Sequence, residues 1–170
     1  MFLLNKDQVD LIKNNKICLI KKFTLIEDVY NFDFISALLE ENDLHVSQKT
    51  SIGNLKDVFQ IFKVSNTQRK FKDIFYFLYK IFKYEKNQKD EVDLFFSLVS
   101  QVGNPHIDEE DVFIVGLQGV TIYRVFNTEY TDYQIEKGDM IFIPKGIKHK
   151  VIGLTPRIIA SIGFYGNKST

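Results

Sequence analysis

The stretch from Gly103 to Gly153 decides the fold of this chain, and it reads GNPHIDEEDVFIVGLQGVTIYRVFNTEYTDYQIEKGDMIFIPKGIKHKVIG. Short apolar runs alternate along it with turn residues, which favours an all-β sandwich or barrel. Two polar islands interrupt the pattern. The first is His106-Ile107-Asp108, and the second, GDMIFIPKGIKH, runs from Gly138 to His149. These two islands hold two of the three histidines in the chain.

The first island has the composition of part of a metal site. In an extended segment, residues two apart project from the same face, so His106 and Asp108 point the same way. An imidazole beside a carboxylate supplies two of the three groups of a 2-His-1-carboxylate triad, which suits a divalent metal and leaves positions open. Because His-x-Asp is a short pattern, a solvated loop is the alternative interpretation.

The second island predicts a hairpin. Gly138-Asp139 is a turn signal, Met140 to Ile143 is a short apolar strand, and Pro144-Lys145-Gly146 is a second turn. His149 then opens another strand. A hairpin of this shape brings His149 across the sheet towards His106 and Asp108, and the alternative is a hairpin with an exposed histidine.

The second island resembles the second motif of the cupin superfamily, G-x5-P-x-G-x2-H, through Gly138, Pro144, Gly146 and His149. The Asn that ends that motif is replaced here by Gly153. The resemblance implies a mainly β fold, the double-stranded β-helix or cupin jelly roll. N-terminal and inserted α-helices are expected to pack on it.

The first island narrows the resemblance to one branch. His-x-Asp followed by a distal His is similar to the JmjC-type cupins, and SIGF at Ser161 to Phe164 resembles the end of the core in the ribosomal-oxygenase-like group. The resemblance covers about Val92 to Gly166. It implies that Fe(II), or another divalent metal, is held by His106, Asp108 and His149, with 2-oxoglutarate as a co-substrate.

The expected site for the far carboxylate of 2-oxoglutarate departs from the family. That branch carries a Lys or Arg on the strand after the first motif, where this chain has Thr121. Tyr123 shares the face of Thr121, whereas Arg124 points the other way. Arg157, on the last strand, is the substitute candidate, and a surface arginine is its alternative. The acidic run Asp108 to Asp111 reads as a solvated start of a strand, and the alternative is that Glu110 is a further ligand or a partner of a ligand.

The first ninety residues predict a helical or mixed part that packs on the barrel, with residues 91–166 as the cupin core of a single domain. A loop from Glu85 to Glu91 separates the two. Helices are expected near residues 5–13, 30–41 and 67–84, strands near 17–20 and 44–49, and a frayed tail at 166–170. Residues 57–63 fit a strand or a helix, and a strand is favoured. The third helix has a broad aromatic face that packs on the barrel or, alternatively, forms a homodimer surface.

Composition limits the function classes. The chain has 170 residues, 45% of them hydrophobic, and 22 basic residues balance 22 acidic ones. A formal charge of zero argues against a nucleic-acid or membrane-surface binder. Cys18 is the single cysteine, which excludes an intrachain disulfide and fits the cytoplasm. The start MFLLNKDQVD lacks the long apolar stretch of a signal peptide or membrane span.

Three functional hypotheses remain open at this point. The first is an Fe(II)- and 2-oxoglutarate-dependent hydroxylase of a protein or small molecule. The second is a metal-dependent cupin of another type, a dioxygenase or isomerase that needs no 2-oxoglutarate, and Thr121 favours it. The third is a non-catalytic cupin that binds a small ligand.

Overall fold

Two antiparallel β-sheets form the architecture of a computed structural model, which describes residues 2–24, 31–40, 45–48, 62–65, 67 and 71–168. The strands in chain order are β1 (Cys18–Ile20), β2 (His45–Gln48), β3 (Phe62–Ser65), β4 (Glu91–Ser97), β5 (Gln101–Val102), β6 (Asp111–Gln118), β7 (Thr121–Phe126), β8 (Tyr130–Ile135), β9 (Met140–Ile143), β10 (His149–Gly153) and β11 (Arg157–Phe164). The helices are α1 (Lys6–Lys13), α2 (Phe32–Leu39) and α3 (Lys72–Phe82).

The larger sheet has the strand order β1-β9-β6-β11-β4-β3-β2, and the smaller one has the order β5-β10-β7-β8. Neighbours in both sheets pair antiparallel. The chain crosses between the sheets repeatedly, for example from β6 to β7 and from β10 to β11. This arrangement confirms the prediction of a mainly β jelly roll with added helices.

Alternation along the strands divides the apolar core into two layers. Along β6, every residue from Asp111 to Leu117 is buried, because the strand is covered on both faces. Phe113, Val115 and Leu117 pack in the cluster that includes the helices. Val112 and Ile114 pack between the two sheets, together with Tyr123, Ile135 and Ile159. The second layer borders the cavity described below.

The glycines of the second island serve the turns that the motif predicts. Gly138 and Gly146 have positive φ values of 86° and 81°, which side chains with a Cβ rarely adopt. Gly138 donates its N–H to Gly116 O at 2.9 Å, and Gly146 donates to Asp108 O at 3.0 Å. The second of these bonds joins the turn at residues 144–147 to the first island. The prediction of a hairpin was wrong, because β9 pairs with β1 and β6 in the larger sheet and β10 pairs with β5 and β7 in the smaller one, so the turn connects the two sheets.

Helix α3 packs on the larger sheet along one stripe. Ile74, Leu78 and Phe82 are buried, and the Phe82 ring stacks on Phe113 with centroids 5.4 Å apart. Phe75 stacks on Phe164 of β11 at 5.1 Å. Packing on the barrel is therefore observed, and the homodimer surface stays a prediction. None of the helices in the described ranges is long and apolar enough to cross a membrane.

The N-terminal part contributes strands as well as helices. A capping box formed by Asn5 and Gln8 is present at the start of α1. β1 pairs with β9, and β3 pairs with β4, so three N-terminal strands extend the larger sheet. The division at residues 90 and 91 stays a prediction. Of the strand predicted at 57–63, residues 57–61 lie outside the described residues.

The prediction of a frayed tail was wrong for residues 166–168. Tyr84 and Lys168 form an antiparallel bridge, and Glu85 donates its N–H to Asn167 O at 2.8 Å. The Lys168 ammonium lies 3.0 Å from Asp111 Oδ2. A polar tail is held here because a buried carboxylate distant in sequence pairs with its cation.

Candidate metal centre

Backbone pairing places the two histidines of the islands side by side. His106 donates its N–H to His149 O at 2.8 Å, and His149 donates back to His106 O at 2.9 Å. This isolated bridge joins the segment before β6 to the first residue of β10. Two residues after His106, Asp108 accepts the Gly146 N–H through its carbonyl. Residues far apart in the sequence therefore meet because three backbone bonds fix the crossing.

The three side chains converge on one point. His106 Nε2 lies 3.7 Å from Asp108 Oδ1, and His149 Nε2 lies 3.4 Å from Asp108 Oδ2. One ligand atom from each residue can be chosen so that all three lie within 4.8 Å of one another. The structure thus brings together His106, Asp108 and His149, the set expected from the two islands.

Hydrogen bonds orient both imidazoles in the same way. His106 Nδ1 lies 3.0 Å from Asn104 O, and His149 Nδ1 lies 3.0 Å from Ile147 O. A carbonyl oxygen only accepts, so each Nδ1 carries the proton, and each Nε2 turns its lone pair towards the Asp108 side. Metal-binding histidines in proteins are held by this kind of N–H to carbonyl bond.

The donor set fits a divalent first-row metal. His149 is only 2% exposed, while His106 and Asp108 are half-buried at the mouth of a cavity. Two neutral imidazoles and one carboxylate form a 2-His-1-carboxylate set, which is typical of non-haem Fe(II) oxygenases and leaves positions open for other ligands. The same donors also accept Mn, Co, Ni or Zn.

The cavity beside the triad has a volume of about 290 Å³ and lies between the two sheets. Its walls come from both sheets, and polar or charged side chains outnumber apolar ones along them. Its lining includes the triad together with Phe95, Ile114, Tyr123, Val151, Arg157 and Ile159. A concave site that combines apolar surface with placed polar groups is typical of small-ligand sites in proteins.

Arg157 is buried in this cavity, and the alternative of a surface arginine was wrong. The residue is 2% exposed, and its Nη1 atom has no hydrogen-bond partner in the part of the chain that the structure describes. Burial lowers the pKa of the Arg157 guanidinium, and the nearby Tyr123 hydroxyl partly opposes that effect. A buried cation without a counter-ion is unfavourable, so this guanidinium is suited to an anionic ligand.

The other two expected cofactor residues lie on β7. Thr121 and Tyr123 are both buried and face inward, and Tyr123 lines the cavity. Burial raises the pKa of the Tyr123 hydroxyl, which keeps it a neutral donor. Arg124 faces outward as predicted, where it binds Asp132 through two contacts of 2.7 Å and stacks over Tyr130.

A polar wall of the cavity was missed by sequence reasoning. Lys63 of β3 contacts Asp93 Oδ2 of β4 at 2.5 Å and Glu91 at 3.8 Å, and all three line the cavity. Alternation along β4 places Glu91 and Asp93 on the face of Phe95, and this signal was available in the sequence. The pairing with Lys63 required the tertiary structure.

The acidic run after Asp108 is not simply a solvated start of β6. Glu110 is half-buried in the cavity wall, and burial, with a smaller contribution from Asp108, raises the pKa of its carboxyl. Asp111 is buried and bonded to Lys168. Of the run 108–111, only Glu109 is an exposed side chain.

Comparison with known proteins identifies the fold. No family profile and no curated protein sequence matches the chain. A structure of Escherichia coli YcfD superposes with a TM-score of 0.71 and 17% identity, over 99% of this chain and 55% of that chain. YcfD, a ribosomal oxygenase, in complex with cobalt and 2-oxoglutarate gives a TM-score of 0.69 and 18% identity, over 99% and 54%.

An oxidoreductase of the 2-oxoglutarate-Fe(II) oxygenase family from Burkholderia pseudomallei gives a TM-score of 0.60 and 12% identity, over 99% of this chain and 96% of that chain. At these identities the similarity establishes the shared double-stranded β-helix fold. The chain spans about half the length of YcfD.

Proposed function

We propose that this chain is an Fe(II)- and 2-oxoglutarate-dependent oxygenase that hydroxylates a protein or small-molecule substrate. The observation that carries the proposal is the buried Arg157 guanidinium, whose Nη1 lacks a partner among the described residues. It lines the same cavity as His106, Asp108 and His149. A metal-binding set and a buried cation in one small cavity match a chelating dicarboxylate.

The triad would hold the iron. With both Nδ1 atoms donating to carbonyls, the two Nε2 atoms and the Asp108 carboxylate are the ligands. Two neutral imidazoles and one carboxylate leave a single positive charge on a divalent ion, which favours a further anionic ligand. When bound, Fe(II) and 2-oxoglutarate supply the oxidising chemistry that converts a C–H bond of a substrate into C–OH.

Arg157 would bind the far carboxylate of 2-oxoglutarate. A guanidinium forms two parallel hydrogen bonds to a carboxylate, and the pair is strongest where water is excluded. The Tyr123 hydroxyl lines the cavity as a neutral donor, and Thr121 offers a second hydroxyl on the same face of β7. Arg157 would therefore replace the cation that the JmjC-type branch carries at the position of Thr121.

The structural neighbours support the cofactor assignment without specifying the substrate. YcfD is an oxygenase of a similar fold that was solved with cobalt and 2-oxoglutarate. The Burkholderia pseudomallei oxidoreductase of the 2-oxoglutarate-Fe(II) oxygenase family has nearly the same length as this chain, since 96% of it is covered. We propose a peptide or a small molecule as the substrate class, because the cavity opens beside His106 and Asp108.

A metal-dependent cupin without 2-oxoglutarate is the second candidate, and the uncharged Thr121 favours it. An anaerobic titration distinguishes the two. Addition of 2-oxoglutarate to the Fe(II)-loaded protein is expected to produce a weak metal-to-ligand charge-transfer band in the visible spectrum. The band should be absent from His149→Ala. Iron binding without the band would support the second candidate, and absence of metal binding would contradict both.

Arg157→Met tests the carboxylate assignment, with Arg124→Met as the matched control. Removing one partner of a buried charge pair costs about 2 kcal/mol or more, so the dissociation constant of 2-oxoglutarate should rise by roughly 30-fold. Arg124 lies on the outer face of β7 with its own partner, so its variant should bind 2-oxoglutarate like the wild type. Equal affinity of Arg157→Met and wild type would disprove this role.

We also propose a cytoplasmic homodimer. The reduced state expected for Cys18 is consistent with the cytoplasm, since the thiol is buried and burial raises its pKa. For the dimer, the supporting feature is Tyr76 of α3, which is 65% exposed beside an aromatic face. Sedimentation equilibrium of wild type and Tyr76→Glu tests it, and a monomeric wild type would contradict it.

A further inference from the structure

We infer that Asp111 is a positioning residue for the metal centre, and that Lys168 near the C-terminus holds Asp111 in place. The inference rests on the proposed metal-binding role of His149. Asp111 itself is the first residue of β6, three positions after Asp108. Its carboxylate is expected to act through the backbone of the turn that leads to His149.

Asp111 is 6% exposed and accepts three hydrogen bonds from different parts of the chain. The Tyr84 hydroxyl donates to Oδ2 at 2.8 Å, and the Lys168 ammonium lies 3.0 Å from the same oxygen. The other oxygen, Oδ1, accepts the Lys145 N–H at 3.0 Å. The carboxylate therefore bridges the C-terminal segment and the turn of the second island.

The turn is held by two successive amides. Lys145 N donates to the Asp111 carboxylate, and Gly146 N donates to the Asp108 carbonyl at 3.0 Å. The next carbonyl, that of Ile147, lies 3.0 Å from His149 Nδ1 and sets the imidazole orientation. A displacement of the turn would therefore move the Ile147 carbonyl and rotate the His149 ring.

Lys168 has the contacts of a fixed side chain. Besides Asp111, its ammonium donates to Ile12 O at 2.8 Å and to Asn15 Oδ1 at 2.6 Å, so it also secures the end of α1. It lies 4.5 Å from the Phe142 ring centroid. Three acceptors and an aromatic face restrict the position of the Lys168 ammonium. Through Asp111, Lys168 also restricts the turn that leads to His149.

Asp139 provides a matched control. It is 4% exposed, pairs with Lys21 at 2.7 Å, and accepts the Lys22 and Glu136 N–H groups at 2.9 and 3.0 Å. Asp139 is thus a buried aspartate with the same kinds of partner as Asp111. Asp139 precedes β9, whereas the turn that leads to His149 follows β9. Loss of the Asp139 side chain should therefore destabilise the fold without disturbing the triad.

The test compares Co(II) binding, followed by visible absorption, in wild type, Asp111→Asn, Asp111→Ala and Asp139→Ala. Loss of a group that orients a metal ligand typically weakens metal binding 10- to 100-fold, so Asp111→Ala should bind Co(II) at least about 10-fold more weakly, with an altered spectrum. Asp111→Asn should recover most of the affinity, because its amide oxygen still accepts from Lys145. Asp139→Ala should unfold more easily and bind Co(II) like the wild type.

Wild-type affinity in Asp111→Ala, or an equal loss of affinity in Asp139→Ala, would overturn the inference. If Asp111→Ala does not fold, Lys168→Met replaces it, with an expected loss of about threefold because the carboxylate keeps its other two partners.

Hydrogen–deuterium exchange of the metal-free protein is the second readout, and residues 144–149 should exchange faster in the Asp111 variants than in Asp139→Ala. Unchanged exchange would also overturn the inference. A wild type that binds no Co(II) would instead refute the proposed function. In that case the exchange experiment still tests the link from Asp111 to the turn that leads to His149.

Discussion

Gly153 and Arg157 depend on each other for space. A Cβ placed on Gly153 would lie 1.4 Å from Arg157 Nη1, so no other residue fits while the guanidinium occupies its position. The two departures from the family pattern, Thr121 in place of a cation and Gly153 in place of Asn, then have one explanation. In the proposed site, Arg157 on β11 supplies the carboxylate-binding cation, and the lack of a side chain at Gly153 on β10 leaves room for it.

Gly153→Ala should therefore weaken 2-oxoglutarate binding without affecting the metal. The added methyl group displaces the guanidinium, and the dissociation constant of 2-oxoglutarate should rise by roughly 10-fold or more, a cost of about 1.4 kcal/mol. Anaerobic titration of the charge-transfer band measures it, and Co(II) affinity should equal that of the wild type.

Gly103→Ala is the control for the added methyl group. A Cβ at Gly103 meets its nearest neighbour, Val151 O, at an ordinary 3.5 Å, and no arginine lies in its way. If Gly103→Ala and Gly153→Ala weaken 2-oxoglutarate binding equally, the space-sharing explanation fails. Retained binding in Gly153→Ala would contradict it as well.

At the scale of elements, helix α3 stabilises the larger sheet without forming part of the site. Its buried stripe contacts the outer face of the sheet, through pairs such as Phe75 with Phe164 and Phe82 with Phe113. The cavity lies on the other face of the same strands, where Ile114 and Ile159 point inward. Stability and metal binding should therefore respond separately to changes in this helix.

Leu78→Ala tests that separation. Leu78 is fully buried, so truncation removes apolar contacts and leaves a cavity, with an expected loss of about 2–5 kcal/mol in the free energy of unfolding. Urea denaturation of the metal-free protein measures the loss. Below the unfolding transition, Co(II) affinity should be unchanged, and a parallel loss of affinity would contradict the prediction. Tyr76→Ala, on the exposed face, should change stability by less than about 0.5 kcal/mol.

Strand β4 shows the same division by face. Its odd-numbered residues Glu91, Asp93 and Phe95 line the cavity, its even-numbered residues Val92 and Leu94 pack in the helical layer, and Phe96 contributes to both. Asp93 is buried with one oxygen that lacks a hydrogen-bond partner among the described residues. It forms a polar wall of the cavity with Lys63.

At the scale of the whole molecule, metal binding and folding should be coupled. His106, Asp108 and His149 come from segments that only the folded chain brings together, so a metal held by all three binds the native state preferentially. Co(II) at 100 times its dissociation constant should raise the free energy of unfolding by about 2.7 kcal/mol. Thermal or urea unfolding with and without Co(II), or with a chelator, measures this difference.

The His149→Ala variant is the control for this coupling. It should lose most of the Co(II)-dependent stabilisation while still folding, because His149 keeps its backbone bonds to His106 whatever its side chain. Stabilisation of the same size in wild type and His149→Ala would show that the ion binds elsewhere.

The structural features that could be predicted from the sequence are mostly local ones. The two short motifs identified His106, Asp108 and His149 as candidate ligands, although their meeting depends on the backbone bridge between His106 and His149. Strands β4 and β6 to β11 follow from alternation and turn residues, and α3 follows from its helical spacing. These features depend on neighbours in the chain, whose preferences the sequence displays directly.

Only the tertiary structure decided which side chains share the cavity and which segments complete the sheet. The inward position of Arg157, the pairing of Lys63 with Asp93, and the contact of Lys168 with Asp111 join residues distant in the sequence. Such contacts depend on the order of strands and segments that are distant in the sequence, which local patterns of residues do not encode. Whether a charged side chain is buried depends on where the fold places it. Lys168 is enclosed beside Asp111, and Arg157 is buried in the cavity, although both resemble surface residues in the sequence.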